Sequence, residues 1–419
     1  MDKFVINGGN SLEGELDIPC SKNAYLPILA ACMLHSGKIM LKKVPDFSDI
    51  NKMIEILVTL GCRVQKTDQT LLIDCENATK YEIPGKLAGE IRSSIFLMGA
   101  ILGKLKKAKV AYPGGCDIGA RPIDLHLKGL RNLNIDITEH FGMIECDARN
   151  FKNDIVHLDF PSVGATENIM MASVLSKGTT YIFNAAKEPE IIDLAGFINS
   201  MGGKVYGAGT STITIVGVEG LHDTEYTAIA DRIIAGTHII AVASCGGDVL
   251  LNYANFNHIY PLITKFKNSA CKIVQTSDKI RIVSTGKLKS FGNIETSPYP
   301  GFPTDLQAQT MVLQTISRGT CVILENLFET RFKHVPELVK MGAKIIMRDR
   351  MAVVSGVDRL YGTEVTATDL RGGAALTIAG LVAKGQTVVS GVGHIDRGYE
   401  HLDRQFKKLG ADIIRTSDT

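Results

Sequence analysis

Six five-residue stretches decide how this chain folds: Leu60-Gly-Cys-Arg-Val64, Leu133-Asn-Ile-Asp-Ile137, Met201-Gly-Gly-Lys-Val205, Ser269-Ala-Cys-Lys-Ile273, Met341-Gly-Ala-Lys-Ile345 and Leu409-Gly-Ala-Asp-Ile413. Each is the same step out of a helix and into a strand. Their second residues stand at 61, 134, 202, 270, 342 and 410, so the step recurs every 68 to 73 residues. A fixed long period marks a repeat architecture. Asn134 stands where glycine is usual, and asparagine also tolerates a positive φ.

A second marker runs at the same period. Apolar helix-length stretches begin at Lys22, Arg92, Thr166, Arg232, Asp305 and Arg371, 66 to 74 residues apart. Gly178, Gly246, Gly319 and Gly385 follow four of them, where a left-handed residue ends a helix. These helices are apolar on most faces and must be buried. The helices before each step are amphipathic, as in Ile50 to Leu60 and His401 to Leu409. Strands such as Thr212-Ile-Thr-Ile-Val216 alternate. The expected class is α/β, with repeated βαβαβ-type units whose helices lie inside their sheets. Six such units exceed one ordinary core. Two domains of three units follow: 22–229, and 1–21 with 230–419.

Composition narrows the function. Lys+Arg is 46 against 44 Asp+Glu, a net charge of +2. That balance argues against a nucleic-acid or polybasic membrane binder. The nine cysteines are scattered without a Cys-x-x-Cys pair, so neither a disulfide framework nor a zinc ribbon is expected. The N-terminal stretch lacks the 7–15-residue apolar core of a signal peptide. The longest apolar run, Ala24 to Leu34, is short of the roughly 20 residues that span a bilayer. A cytoplasmic location is expected, with no metal and no cofactor.

Four of the six buried helices open on a cation: Lys22, Arg92, Arg232 and Arg371. A helix N-terminus already carries positive partial charge, so a cation there is locally unfavourable. Its repetition points to an anion site, and the set as a whole to a polyanion held between the two domains. Pairing with Asp or Glu on the facing unit is the competing account for each one singly, and Arg232 follows Asp231 and is a candidate for simple pairing. Arg121, Arg331 and Arg397 add three loop arginines, whose planar forks suit carboxylate and phosphate. Solvated surface arginine is the plainer account there. The loop Tyr112-Pro-Gly-Gly-Cys-Asp-Ile-Gly-Ala-Arg121 is glycine-rich in the manner of a lid, with Cys116 at its tip.

These residues resemble the enolpyruvyl transferase family, and within it the UDP-N-acetylglucosamine 1-carboxyvinyltransferases. The likeness rests on Ser21-Lys22-Asn23, the run from Pro113 through Cys116 and Arg121 to His126, Ser162-Val-Gly-Ala-Thr166, Glu188 to Asp193, Phe302 to Gln309, Arg331 to Leu338, and His394 to Glu400. Seven motifs in order over nearly the whole chain make it specific.

The resemblance implies two inside-out α/β barrels that close on substrate. It implies transfer of the enolpyruvyl group of phosphoenolpyruvate to the 3′-hydroxyl of UDP-N-acetylglucosamine, with release of phosphate. These two small molecules are the expected partners. On the family pattern, Lys22, Arg121 and Arg397 match phosphate-side residues, and Arg331 and Arg371 carboxylate-side residues. Arg121, Pro122, Ile123, Asp124, Leu125, Ser162, Val163, Gly164, Asp305 and Leu327 match nucleotide-sugar contacts, and Asn23 and Arg92 match further contacts. Asp305 is expected to take the hydroxyl proton and Cys116 to give one to C3. The resemblance further implies that the epoxide antibiotic fosfomycin alkylates Cys116. The chain departs from the family at Ser48, where a lysine is usual, and at Phe160-Pro161, where a basic residue often stands. The sister 3-phosphoshikimate 1-carboxyvinyltransferases share fold and donor but lack the Pro-Gly-Gly-Cys loop.

Overall fold

In the computed structural model, residues 2–114, 122–267 and 269–417 are described. They divide into two compact units, one of 2–19 with 230–417 and the other of 20–114 with 122–229.

Each unit contains three four-stranded sheets, and all six sheets share one pattern. In the sheet of Glu82–Ile83, Lys107–Ala111, Met143–Asp147 and Asp136–His140, the first pair is parallel and the other two are antiparallel. The parallel pair is joined through a buried helix, Phe96–Leu105. An amphipathic helix, Asp124–Arg131, then leads through the Leu133-Asn step into a hairpin. The repeat is therefore βαβαββ, one strand longer than expected: in four of the six a two-residue turn folds the strand after the step back on itself, and in the third the connection is 207–211.

The repeats are permuted across the chain. Asp2–Asn7 pairs antiparallel with Asp412–Ser417 and completes the last repeat. Leu12–Asp17 then pairs parallel with Gly247–Asn252 and opens the fourth. In the other unit, Thr224–Tyr226 supplies the parallel edge beside Lys38–Leu41.

Three helices fill each unit. Lys22–Ala31, Phe96–Leu105 and Val163–Ser173 are buried on nearly every side in one. Arg232–Cys245, Gln307–Thr315 and Leu370–Val382 are buried in the other. All-round burial goes with largely apolar sequence in most of them, but Gln307–Thr315 is as fully buried with three glutamines and two threonines. Two helices approach closely at Gly99 and Gly103. A Cβ on Gly99 would stand 2.3 Å from the Asn168 carbonyl oxygen, and one on Gly103 2.7 Å from that of Met171. The Asn168 side chain uses the proximity, accepting from the Gly99 amide at 2.6 Å.

At the helix-to-strand step, Gly61, Asn134, Gly202, Gly342 and Gly410 all have positive φ, Asn134 at 58°. Gly246, Gly319 and Gly385 do as well. Gly178 does not: its place near Asn153, whose Oδ1 a Cβ would meet at 2.8 Å, requires room rather than a left-handed turn. Several helix starts also shift. The helix expected at Thr166 begins at Val163, capped by Ser162. Arg92 and Asp305 lie in 3₁₀ turns, Arg92–Ile95 and Thr304–Leu306, that lead into their α-helices.

Candidate active site

In the unit of 2–19 and 230–417, a carboxylate sits between two guanidinium groups. Asp305 Oδ2 accepts from Arg371 Nη2 at 2.8 Å, and Oδ1 accepts from Arg331 Nη2. The side chains of Arg331 and Arg371 are 4% and 6% exposed, that of Asp305 26%. Arg331 is thus no solvated surface residue. The desolvation cost of two buried cations is met by one shared anion. Burial alone would raise the Asp305 carboxyl, but the charges and hydrogen bonds of Arg371 and Arg331 outweigh it. They hold the group well below the usual carboxylate range.

Local sequence places each partner. Asp369 caps the helix Leu370–Val382, its Oδ1 accepting from the amides of Arg371 at 3.0 Å and Gly372 at 2.9 Å. The cap fixes the second residue of the helix, Arg371, and offsets the cost of a cation at that end. Asp231 does the same for Arg232, accepting from Ile233 and Ile234. Among the described residues, Arg331 Nε and Arg371 Nη1 are buried without a hydrogen-bond partner. Two unspent donors beside a shared carboxylate suit a second anion.

Glu325, which sequence reasoning missed, organises the neighbouring loop. Fully buried, its Oε1 accepts from Thr296 Oγ1 at 2.8 Å and from the amides of Leu327 and Phe328 at 3.0 and 3.2 Å. Its Oε2 accepts from Thr304 Oγ1 at 2.8 Å, one residue before Asp305. One carboxylate thereby sets both the Leu327 loop and the Asp305 turn. The only sequence signal is a charged residue ending the apolar strand Thr320–Leu324. Arg397 is half-buried in the turn after the helix Val392–Ile395. The preceding Asp396 is committed to Arg415, at 3.0 and 2.7 Å.

In the unit of 20–114 and 122–229, Lys22 opens its helix with Ser21 as cap. Its Nζ donates to Asp49 Oδ2 at 3.0 Å, and both side chains are 9% exposed. Lys22 is thus paired, with a carboxylate of its own repeat rather than of a facing one. Asp49 directly follows Ser48, which is exposed at the start of the helix Ser48–Thr59. Asn23 is half-buried beside Lys22. Arg92 Nη1 donates to the Pro113 carbonyl at 3.4 Å, tying the Arg92 turn to the base of the cysteine loop.

Ser162 Oγ accepts from the Ala165 amide at 3.3 Å, leaving the amides of Val163 and Gly164 in an open first turn. Gly164 packs on His126, whose Cε1 a Cβ would meet at 2.8 Å. His126 Nδ1 in turn lies 2.7 Å from Asn168 Nδ2. That contact joins the Ser162–Gly164 turn to the helix Asp124–Arg131, at whose start Pro122 and Asp124 are exposed, Leu125 half-buried and Ile123 buried. Cys116 and Arg121 lie outside the described residues.

The chain matches a protein-family model over residues 6–406, that of EPSP synthase (3-phosphoshikimate 1-carboxyvinyltransferase). The UDP-N-acetylglucosamine 1-carboxyvinyltransferase 2 of Caldanaerobacter subterraneus is 50% identical over 415 residues, 99% of this chain and 100% of its own. The chain belongs to the enolpyruvyl transferase family. Within the family, the protein named UDP-N-acetylglucosamine 1-carboxyvinyltransferase 2 in Carboxydothermus hydrogenoformans is 48% identical, with full coverage of both chains. One from Finegoldia magna is 46% identical over 99% of each. The family fold is shared with solved structures at lower identity. The enolpyruvyl transferase NikO of Streptomyces tendae superposes with a TM-score of 0.88 at 22% identity, covering 100% of this chain and 99% of its own. EPSP synthase of Acinetobacter baumannii gives 0.74 at 16%, covering both chains fully.

Proposed function

We propose that this enolpyruvyl transferase moves the enolpyruvyl group of phosphoenolpyruvate to the 3′-hydroxyl of UDP-N-acetylglucosamine and releases phosphate, the first committed step of peptidoglycan synthesis. The observation that carries the chemistry is Asp305 held between two buried arginines that each keep a donor unspent. Relatives of nearly equal length, 44–50% identical, favour UDP-N-acetylglucosamine as acceptor. We take each unit's three buried helices and three sheets as one inside-out barrel, and the cytoplasm as the location. No described helix is long and apolar enough to cross a membrane.

The reaction is an addition followed by an elimination. A proton from Cys116 adds to C3 of phosphoenolpyruvate while the 3′-oxygen bonds to C2 and its proton leaves to Asp305. C3 then returns a proton to the Cys116 thiolate and the C2–O bond to phosphate breaks, restoring the double bond, while the departing phosphate takes the proton held by Asp305. Lys22, Arg121 and Arg397 face the phosphate. Arg331 and Arg371 take the substrate carboxylate. Asn23, Arg92, Pro122 to Leu125, Ser162 to Gly164 and Leu327 hold the nucleotide sugar.

A carboxylate paired with two cations is a poor base. The substrate carboxylate resolves the difficulty by taking the unspent donors and sharing the charge of the same two guanidinium groups. As Arg331 and Arg371 turn to it, Asp305 loses stabilisation of its charged form and becomes a better proton acceptor. The donor substrate thus activates the base for the acceptor. Mass spectrometry of the reaction product tests the assignment. UDP-N-acetylglucosamine should gain one enolpyruvyl group per phosphate released, and an unmodified acceptor would defeat it.

A further inference from the structure

Tyr399 is fully buried, yet its hydroxyl stands among polar groups from two of the three buried helices of its unit. Thr237 Oγ1 lies 2.8 Å from it, on the helix Arg232–Cys245. Gln309 Nε2 lies 3.1 Å from it, on the helix Gln307–Thr315. The third helix, Leu370–Val382, contributes Arg371, whose guanidinium carbon is 5.5 Å from the centre of the Tyr399 ring.

The neighbouring hydrogen bonds favour one set of proton directions in this network. Thr237 Oγ1 donates to the Ile233 carbonyl at 2.8 Å, so toward Tyr399 it acts as acceptor, and the phenol donates to it. Gln309 Nε2 also donates to the Asp305 carbonyl at 2.9 Å. Its nitrogen must face that carbonyl, since an amide oxygen there would oppose another acceptor. The second proton of the same nitrogen is shared between the phenol oxygen at 3.1 Å and Thr237 Oγ1 at 3.2 Å. With its own proton spent on Thr237, that oxygen presents only lone pairs to the remaining space. A nearby guanidinium is stabilised by such an oxygen and by the face of the ring.

We propose that Tyr399 is a positioning residue for the transfer reaction, fixing Arg371 and the Asp305 turn in the orientation that receives the substrate carboxylate. The proposal rests on Arg371 taking that carboxylate. Tyr399 touches neither reacting group and acts through both neighbours. The network runs from the Ile233 carbonyl through Thr237, Tyr399 and Gln309 to the Asp305 backbone, so it holds Asp305 from behind while Arg371 holds it in front.

The test is Tyr399→Phe, which keeps the ring and removes only the oxygen. The KM for phosphoenolpyruvate should rise roughly two- to ten-fold, the range one net hydrogen bond spans. The KM for UDP-N-acetylglucosamine should stay at the wild-type value. Thr237→Val removes the same hydrogen bond from the other side and should reproduce the effect, and the double variant should be no worse than either. A readout independent of turnover is labelling by phenylglyoxal with peptide mass mapping. Arg371 should react faster in Tyr399→Phe while the arginines of the other unit do not change. An unchanged KM for phosphoenolpyruvate with unchanged Arg371 labelling would overturn the proposal. So would an equal rise in both KM values with a general rise in arginine labelling, which would mark a merely structural role. Absence of phosphate release by the wild-type protein would count against the transfer reaction instead, and the labelling would still decide whether Tyr399 positions Arg371.

Discussion

Replacing Asp305 by asparagine separates its two roles. Asparagine keeps the shape and one acceptor oxygen, but its amide group opposes a guanidinium that now lacks its anion. Breaking a buried ion pair costs about 3–5 kcal/mol. The Asp305 side chain is 26% exposed, and one hydrogen bond survives, so the expected loss of stability is about 1–3 kcal/mol. Linkage gives this loss a pH signature. The folded pKa of Asp305 lies below its unfolded value of 3.8. Its contribution is complete above about pH 4 and disappears as pH falls through the folded value. Urea denaturation should therefore show a constant gap between wild type and Asp305→Asn from about pH 5 to pH 8, and a narrowing gap below about pH 4. Turnover should fall about 10²–10⁴-fold, the usual contribution of a positioned base. Binding of UDP-N-acetylglucosamine, followed by calorimetry, should persist. Near-normal kcat in a folded variant would remove Asp305 from the base role. A stability gap that widened toward acid pH would refute the ion-pair reasoning.

Two further outcomes are expected. Gly99→Ala should destabilise the protein by about 1–3 kcal/mol in denaturant titration, although alanine is the better helix former, because the added carbon meets the Asn168 backbone. Fosfomycin should form a single adduct, at Cys116. Burial pushes the thiols of Cys146, Cys245, Cys271 and Cys321 up to about 12, and those of Cys32 and Cys62 are raised as well. Cys116→Asp should stay active, since a carboxyl also donates a proton, and should resist the drug. Adducts spread over several cysteines in peptide mapping would contradict this.

The repeat was legible because its signals are local: a left-handed residue at five of the six steps and a largely apolar sequence in most of the buried helices. The hairpin ending each repeat was not, since Lys66-Thr-Asp-Gln-Thr70 reads as loop until its neighbouring strands are paired. The same holds for the closure of the last repeat by Asp2–Asn7, which pairs with residues about 400 positions away. In the site, cations at helix starts were visible in sequence, but their partners were not. Asp49, 27 residues from Lys22, and Asp305, 66 from Arg371, meet them only through tertiary structure. Glu325 escaped because a lone polar residue after an apolar run gives no sign of what it will hold, and Tyr399 because its partners Gln309 and Thr237 lie 90 and 162 positions away.

The central claim is the choice of acceptor, and phosphate release from phosphoenolpyruvate tests it most directly. The purified protein should release phosphate with UDP-N-acetylglucosamine at a kcat/KM far above that with shikimate 3-phosphate, and one phosphate should appear per acceptor consumed. Release with shikimate 3-phosphate alone, or with neither acceptor, would contradict the account.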